Sequence, residues 1–234
     1  MNIIKLKKLR SIIKKKSIYI VDDCAQAHGA KYKGRSVGSI GDVGCWSFCQ
    51  DKIMTTGGEG GMVTTPCDHI ARKTRLLRNQ GMEKRYENEI AGYNTRMTDI
   101  HAAIGRVQLK KLAGWTKQRQ DNAKFLDDNL KGVIVPPVAD GAVHVYHQYT
   151  IRVPGNNAEV RDKFMEELTK RGVGSGVYYP TPIHRLPSFN LKLDLPETEN
   201  LVNECISLPV HPSLTKDELA TVAQAVTEVA GLLL

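Results

Sequence analysis

Hydrophobic positions fall into two regimes along this chain. Short β-branched or aromatic runs at residues 18–21, 43–49 and 62–65 are bounded by acids and glycines, the pattern of strands. The first reads as a buried parallel strand ending in Asp22 and Asp23, at the strand end where α/β sheets collect their ligands. Gly29, Gly34, Gly38, Gly41 and Gly44 punctuate short extended pieces before the second strand, and Gly57, Gly58, Gly60 and Gly61 turn the chain into the third. The period then becomes helical at residues 68–80, with Ile70, Leu76 and Leu77 among basic residues, and again from about Thr98 through Ile100, Ile104, Val107 and Leu112. Gly114 and Trp115 are the expected point of interruption before Phe125 and Leu130. Residues 133–138, with two prolines, mark a crossing into a second region. There the pattern predicts a strand at 149–153, a helix at 157–171, a strand at 173–179 and a closing helix at 216–232.

Composition narrows the class without naming it. A chain of 234 residues with 41% hydrophobic content suits one large or two small globular domains. No apolar run reaches the ~20 residues of a membrane helix, and the N-terminus lacks a secretory pattern, so a cytoplasmic protein without a membrane partner is expected. The net charge of +8 is concentrated in residues 1–16, where Lys5, Lys7, Lys8, Arg10, Lys14, Lys15 and Lys16 have no acid among them. Ile3, Ile4, Leu6, Leu9, Ile12 and Ile13 trace one face there, so the lysines read as the solvated side of a helix. No aromatic residue interleaves the run, which argues against a nucleic-acid partner. The five cysteines, Cys24, Cys45, Cys49, Cys67 and Cys205, lack paired CxxC spacing and read as reduced thiols, with no metal site.

Three features carry candidate chemistry. An acid at a strand end (Asp23), a lysine just beyond another strand (Lys52) and a glycine turn lacking a GK[ST] ending are each ordinary alone: a cap, a surface lysine, a turn. In this order they match the needs of pyridoxal phosphate, which takes a lysine for its aldehyde, an acid for its ring nitrogen and donors such as Ser47 for its phosphate. His28, His101 and His147 read as packed or surface residues.

The blocks VDDCAQAHGA (21–30), SFCQDK (47–52), TTGGEGGM (55–62), LLRNQG (76–81), GYNTRMTDIHAAIG (92–105), YYPTPIH (178–184) and SLPVHPSLT (207–215) together resemble the DegT/DnrJ/StrS family of nucleotide-sugar aminotransferases. The resemblance implies an α/β chain with a partial aspartate aminotransferase-like fold: the remnant of a large-domain sheet with a long interdomain helix in residues 1–130, and a smaller α+β domain in 131–234. It implies a pyridoxal phosphate cofactor, with Asp23 on the ring nitrogen, Gln26 against the ring, Ser47 on the phosphate and Lys52 as Schiff-base lysine and proton-moving base. Burial and nearby positive charge are expected around such a lysine. Asn94 would reach a neighbouring subunit's phosphate in a homodimer, with Arg96 supporting its loop, and Tyr179 and His184 would lie on the substrate side. The implied reaction is ping-pong amination of a nucleotide-linked keto sugar by an amino acid, glutamate. The lysine argues against the dehydratases of the family, which replace it with histidine.

The family's enzymes carry a substantial N-terminal portion without a counterpart in this sequence, which supplies part of the phosphate cup, the ring-stacking side chain and further strands. The expected consequences are open strand edges and uncovered apolar faces around residues 18–21, 43–49 and 62–65. A catalytically incomplete fragment that only associates with another chain is therefore the alternative.

Overall fold

A computed structural model describes residues 18–234. The basic helix expected at 1–16 lies outside the described residues. The chain divides into two compact units: one contains the residues up to Gly114 together with Val138–Val145, the other Trp115–Pro137 and Tyr146–Leu234.

The first unit holds strand β1 (Val21–Asp23), the short hairpin β2 (Lys31–Tyr32) and β3 (Arg35–Ser36), then β4 (Val43–Ser47), β5 (Gly61–Thr64) and helix α1 (Asp68–Arg78). The main sheet has the order β1-β4-β5. β1 runs parallel to β4 with Val21 opposite Val43 and Asp23 opposite Cys45, and β5 returns antiparallel with Gly61 opposite Ser47. Trp46 Nε1 donates to Thr64 Oγ1 at 3.0 Å across the antiparallel pair, and that hydroxyl donates to the Gly38 carbonyl at 3.1 Å.

The first strand departs from its expected span. Residues 18–20 form no ladder, and the strand instead includes both acids, because the parallel pairing begins only where β4 begins at Val43. Ile20 is tied by its N–H to Asp42 Oδ2 at 2.7 Å, and its carbonyl accepts from the N–H groups of Asp42 and Val43. Nor is this stretch buried. Val21 is 60% exposed and Met62 of β5 is 50% exposed, and among the described residues no strand pairs with the outer edges of β1 or β5.

Helix α2 (Asp99–Asn129) runs 31 residues without a break at Gly114. A lone glycine costs only ~1 kcal/mol relative to alanine, too little to end a helix whose flanking turns are intact. Strand β6 (Ala142–Val143) joins the hairpin antiparallel to β2, giving the order β3-β2-β6.

In the second unit β7 (Tyr149–Arg152) pairs antiparallel with β8 (Cys205–Leu208). Helices α3 (Ala158–Lys170), α4 (Pro196–Glu204) and α5 (Lys216–Leu233) complete the unit. Asn157 caps α3 by accepting from the Glu159 and Val160 amides, and Thr215 with Glu218 forms a capping box on α5, which is why these helices start where they do. Tyr149, Ile151, Phe164, Leu168, Ile206, Val226 and Val229 form a fully buried core. The strand expected at 173–179 reduces to one antiparallel bridge, Gly176 to Ser207. Gly174 and Gly176 bring no side chain to the core, so the segment contributes a single pair to the second edge of β8.

Candidate functional site

Two loops at the ends of β1 and β4 carry the candidate cofactor residues. The register Asp23 to Cys45 puts Asp23 at the end of β1, and Ser47 lies two residues further along the adjacent parallel strand. Asp23 is exposed; its Oδ1 accepts from the Ala25 amide at 3.0 Å, and its other oxygen makes no hydrogen bond among the described residues. Gln26 is likewise exposed. Between and beside them Cys24 and His28 are buried, so the loop alternates anchors with exposed polar groups. Burial, then the charges of Asp22 and Asp23, pushes the Cys24 thiol up to about 11, which keeps it protonated and unreactive.

Asp22, whose partners the sequence did not disclose, holds this end of the unit together. Its Oδ2 accepts from the amides of Gly38 at 3.2 Å, Ile40 at 3.2 Å and Gly41 at 2.9 Å. A Cβ at Gly41 would come within 2.8 Å of that carboxylate, so glycine is what lets the backbone approach.

Lys52 sits in a loop closed at its base by Phe48, whose N–H donates to the Gly60 carbonyl at 2.8 Å and whose carbonyl accepts from the Thr56 amide at 3.1 Å. Within the loop the Lys52 N–H donates to the Cys49 carbonyl at 3.0 Å, and the Ser47 hydroxyl accepts from the Cys49 amide at 3.3 Å. The Lys52 side chain is 15% exposed and its Nζ lies 3.1 Å from Asp51 Oδ1. The neighbour of the ammonium is thus a carboxylate where a cation was expected, and the hydrogen bond from Lys52 holds the Asp51 carboxyl below its usual range.

His28 packs against the rings of Trp46 and Phe48, at centroid separations of 5.5 and 5.8 Å. It is 2% exposed, and neither ring nitrogen makes a hydrogen bond of regular geometry. Desolvation by burial lowers its pKa first, the Ser47 backbone opposes that shift, and the charge of Lys52 adds a smaller lowering.

Asn94 and Arg96 lie in a loop folded back on α1, where Tyr93 and Thr95 donate their N–H groups to the carbonyls of Leu77 and Arg78. Arg96 Nε donates to Asn94 Oδ1 at 3.0 Å and its Nη1 to Asn79 Oδ1 at 3.3 Å, so the arginine does brace the asparagine. Gly81 allows the turn: at φ +78°, a Cβ there would come 1.7 Å from the Ile90 carbonyl.

In the second unit Tyr179 is exposed, edge-to-face with Tyr178. His184 is buried in a short 3-10 turn (Ile183–Arg185), with Nε2 3.0 Å from Glu199 Oε1. Arg185 reaches the same oxygen at 2.8 Å.

A strand-end acid with a free oxygen, a hydroxyl on the neighbouring strand end and an enclosed lysine form a donor set that fits pyridoxal phosphate. The model of the DegT/DnrJ/EryC1/StrS aminotransferase family matches residues 2–227. The chain belongs to this family. Among the family's curated members it is 35% identical to the pleiotropic regulatory protein of Geobacillus stearothermophilus, covering 94% of this chain and 60% of that one. It is 34% identical to the UDP-N-acetyl-3-dehydro-alpha-D-glucosamine 3-aminotransferase of Acidithiobacillus ferrooxidans, covering 93% of this chain and 59% of that one. Its fold matches the crystal structure of Streptomyces venezuelae DesV in complex with a ketimine intermediate, with a TM-score of 0.89 at 32% identity over 96% of this chain and 61% of that one. The chain therefore spans about three-fifths of the length of the family members it matches. Among the described residues no helix is long and apolar enough to cross a membrane.

Proposed function

We propose that this chain carries the cofactor-holding centre of an aminotransferase that uses pyridoxal phosphate to aminate a nucleotide-linked keto sugar, with an amino acid, glutamate, as donor. Bound pyridoxal phosphate supplies an aldehyde for the amine and a ring that withdraws electrons from the reacting carbon. Asp23 keeps the ring nitrogen protonated through the oxygen it leaves free, Gln26 lies against the ring, and Ser47 donates its hydroxyl to the phosphate. Lys52 would hold the cofactor by its aldehyde through Nζ and, as a free amine, would accept and return a proton. The two half-reactions run in ping-pong order. Asn94, braced by Arg96, reaches the phosphate of a neighbouring subunit in a homodimer, and Tyr179 and His184 belong to the substrate side. The protein acts in the cytoplasm.

The observation that carries this reading is the Lys52 loop, a lysine enclosed to 15% exposure and suspended five positions beyond Ser47 on a base clamped by Thr56 and Gly60. The test is direct. Purified protein mixed with pyridoxal phosphate and reduced with borohydride should carry the mass adduct on Lys52, and Lys52→Ala should lose it; an unmodified Lys52 in the parent protein sinks the proposal.

The open edges of β1 and β5 favour a second reading, a chain that loads cofactor only when another polypeptide covers its sheet. It predicts no adduct on the isolated chain and an adduct on Lys52 after co-expression with a polypeptide carrying the remaining two-fifths of the family's length.

A further inference from the structure

The loop between β4 and β5 carries two acids, Asp51 and Glu59, although it is the loop to which an anionic phosphate is assigned. Glu59 is accounted for by Cys49, a residue that ties the loop at three points. The Cys49 amide donates to the Ser47 hydroxyl at 3.3 Å, its carbonyl accepts from the Lys52 N–H at 3.0 Å, and its thiol donates to Glu59 Oε1 at 3.3 Å. Asp51 is turned onto the lysine instead: its two oxygens accept from Lys52 Nζ at 3.1 and 3.2 Å. The partners differ in exposure. The Lys52 side chain is 15% exposed and that of Asp51 65%, so the amine is enclosed while the carboxylate holding it stands in water. Among the described residues no second acid forms an ion pair with Lys52.

We propose that Asp51 is a positioning residue that holds the Lys52 amine while the loop is unloaded and is displaced when pyridoxal phosphate is joined to it, so that it slows loading. The inference rests on the reading that Lys52 takes the cofactor's aldehyde. In that step the ammonium gives one proton to solvent, its nitrogen adds to the aldehyde carbon, and the aldehyde oxygen leaves as water with the two protons that remain. An ammonium offers three N–H donors and the joined nitrogen offers none, so both hydrogen bonds to Asp51 are lost. The carboxylate is then left in the loop of the Ser47 hydroxyl, where it repels a phosphate. Its exposure lets it turn to water. An ion pair with one partner in water shifts an equilibrium by up to about fivefold, and because these bonds open before the nitrogen attacks, the same factor enters the rate. A residue that only shaped the turn would not distinguish an aldehyde with a phosphate from one without.

The experiment measures Lys52 in the full chain by peptide mass, in two ways. Trace acetylation with acetic anhydride, read against the exposed Lys73 of the same molecule, reports the freedom of the amine without any cofactor. Borohydride trapping at successive times after mixing reports loading, with pyridoxal phosphate and, separately, with phosphate-free pyridoxal. In Asp51→Asn, with Asp51→Ala as the second variant should the first not fold, acetylation of Lys52 should rise about twofold to fivefold, and loading should rise more with pyridoxal phosphate than with pyridoxal. Asp51→Glu, which keeps the carboxylate, should restore the parent's behaviour. Acetylation of Lys52 unchanged in the neutral variants, an equal gain with the two aldehydes, or a gain in Asp51→Glu as large as in Asp51→Asn overturns the proposal and leaves the cofactor reading standing. Absence of the adduct in every chain sinks the cofactor reading, and with it the displacement of Asp51 by cofactor, whatever the acetylation shows.

Discussion

Replacing Asp22 by asparagine tests whether the end of β1 is organised by charge. One carboxylate oxygen accepts three backbone amides, from Gly38, Ile40 and Gly41, and asparagine can offer its carbonyl oxygen in the same place without the charge. Hydrogen bonds to an ionised acceptor contribute about 1.5–3 kcal/mol each and neutral ones about 0.5–1.5, so three fully weakened bonds would sum to about 3–4.5 kcal/mol. Asp22 is half-buried and one oxygen is shared three ways, which brings the expected loss to about 1–3 kcal/mol. The loss should fall on the first unit alone. Trp46 lies on β4 and the protein's other tryptophan, Trp115, begins the second unit, so in a Trp115→Phe background the emission of Trp46 during urea unfolding reports the relevant transition. An Asp22→Asn midpoint corresponding to a change under about 0.5 kcal/mol, the range of a neutral surface substitution, would refute the argument that these three bonds hold the loop.

Two further outcomes follow from the second unit. Phe164→Ala empties a fully buried site in a core shared by β7, β8 and α5, and should cost about 3–5 kcal/mol in urea unfolding followed by Trp115 emission. Glu199 is held below the usual carboxyl range by the hydrogen bond from His184 first and by Arg185 second. A depressed folded pKa means that this tether is fully present above the unfolded carboxyl value of about 4.3 and is lost as the pH falls through the folded value, so amide protection factors around residues 183–191, taken against the intrinsic rate at each pH, should fall from about pH 5 to about pH 3, and Glu199→Gln should remove the dependence.

Helices α1, α2, α3 and α5 were legible because their signals are local, whereas α4 was not expected. Asn157 and Thr215 cap α3 and α5 at the starts that the apolar period indicates, β4 falls inside its expected run, and β5 starts one residue before its own. What escaped depends on partners distant in sequence. Strand β6 joins β2 through long-range bonds such as that of the Lys33 amide to the Gly141 carbonyl at 2.7 Å, a pairing no window of sequence contains. β8 is a four-residue run wholly buried, too short for period to separate strand from helix. In the site, the types and spacing of Asp23, Ser47 and Lys52 were readable together with the family resemblance, but their surroundings were not. Asp51 is adjacent in sequence yet became a partner of Lys52 only through the turn that follows Ser47. His28 looked like any packed histidine, and it is the missing hydrogen bonds that set it apart.

The Lys52 loop joins β4 to β5, an edge strand among the described residues, yet the hydrogen bonds that close the loop are local to it. Every contact that clamps the Lys52 loop lies between residues 47 and 61, on the β4–β5 side, through Phe48, Thr56 and Gly60. The uncovered apolar surface at Val21 and Met62 is held by none of those bonds. Covering the sheet would add stability in proportion to the apolar area removed from water, at roughly 25 cal/mol per Å², without being needed to draw the lysine loop closed. Asp23 is placed differently: its loop hangs from β1, the other edge strand among the described residues, so its carboxylate is sensitive to what lies against that edge. The Lys52 loop is thus closed by local bonds, while the placement of Asp23 depends on the sheet from which its loop hangs.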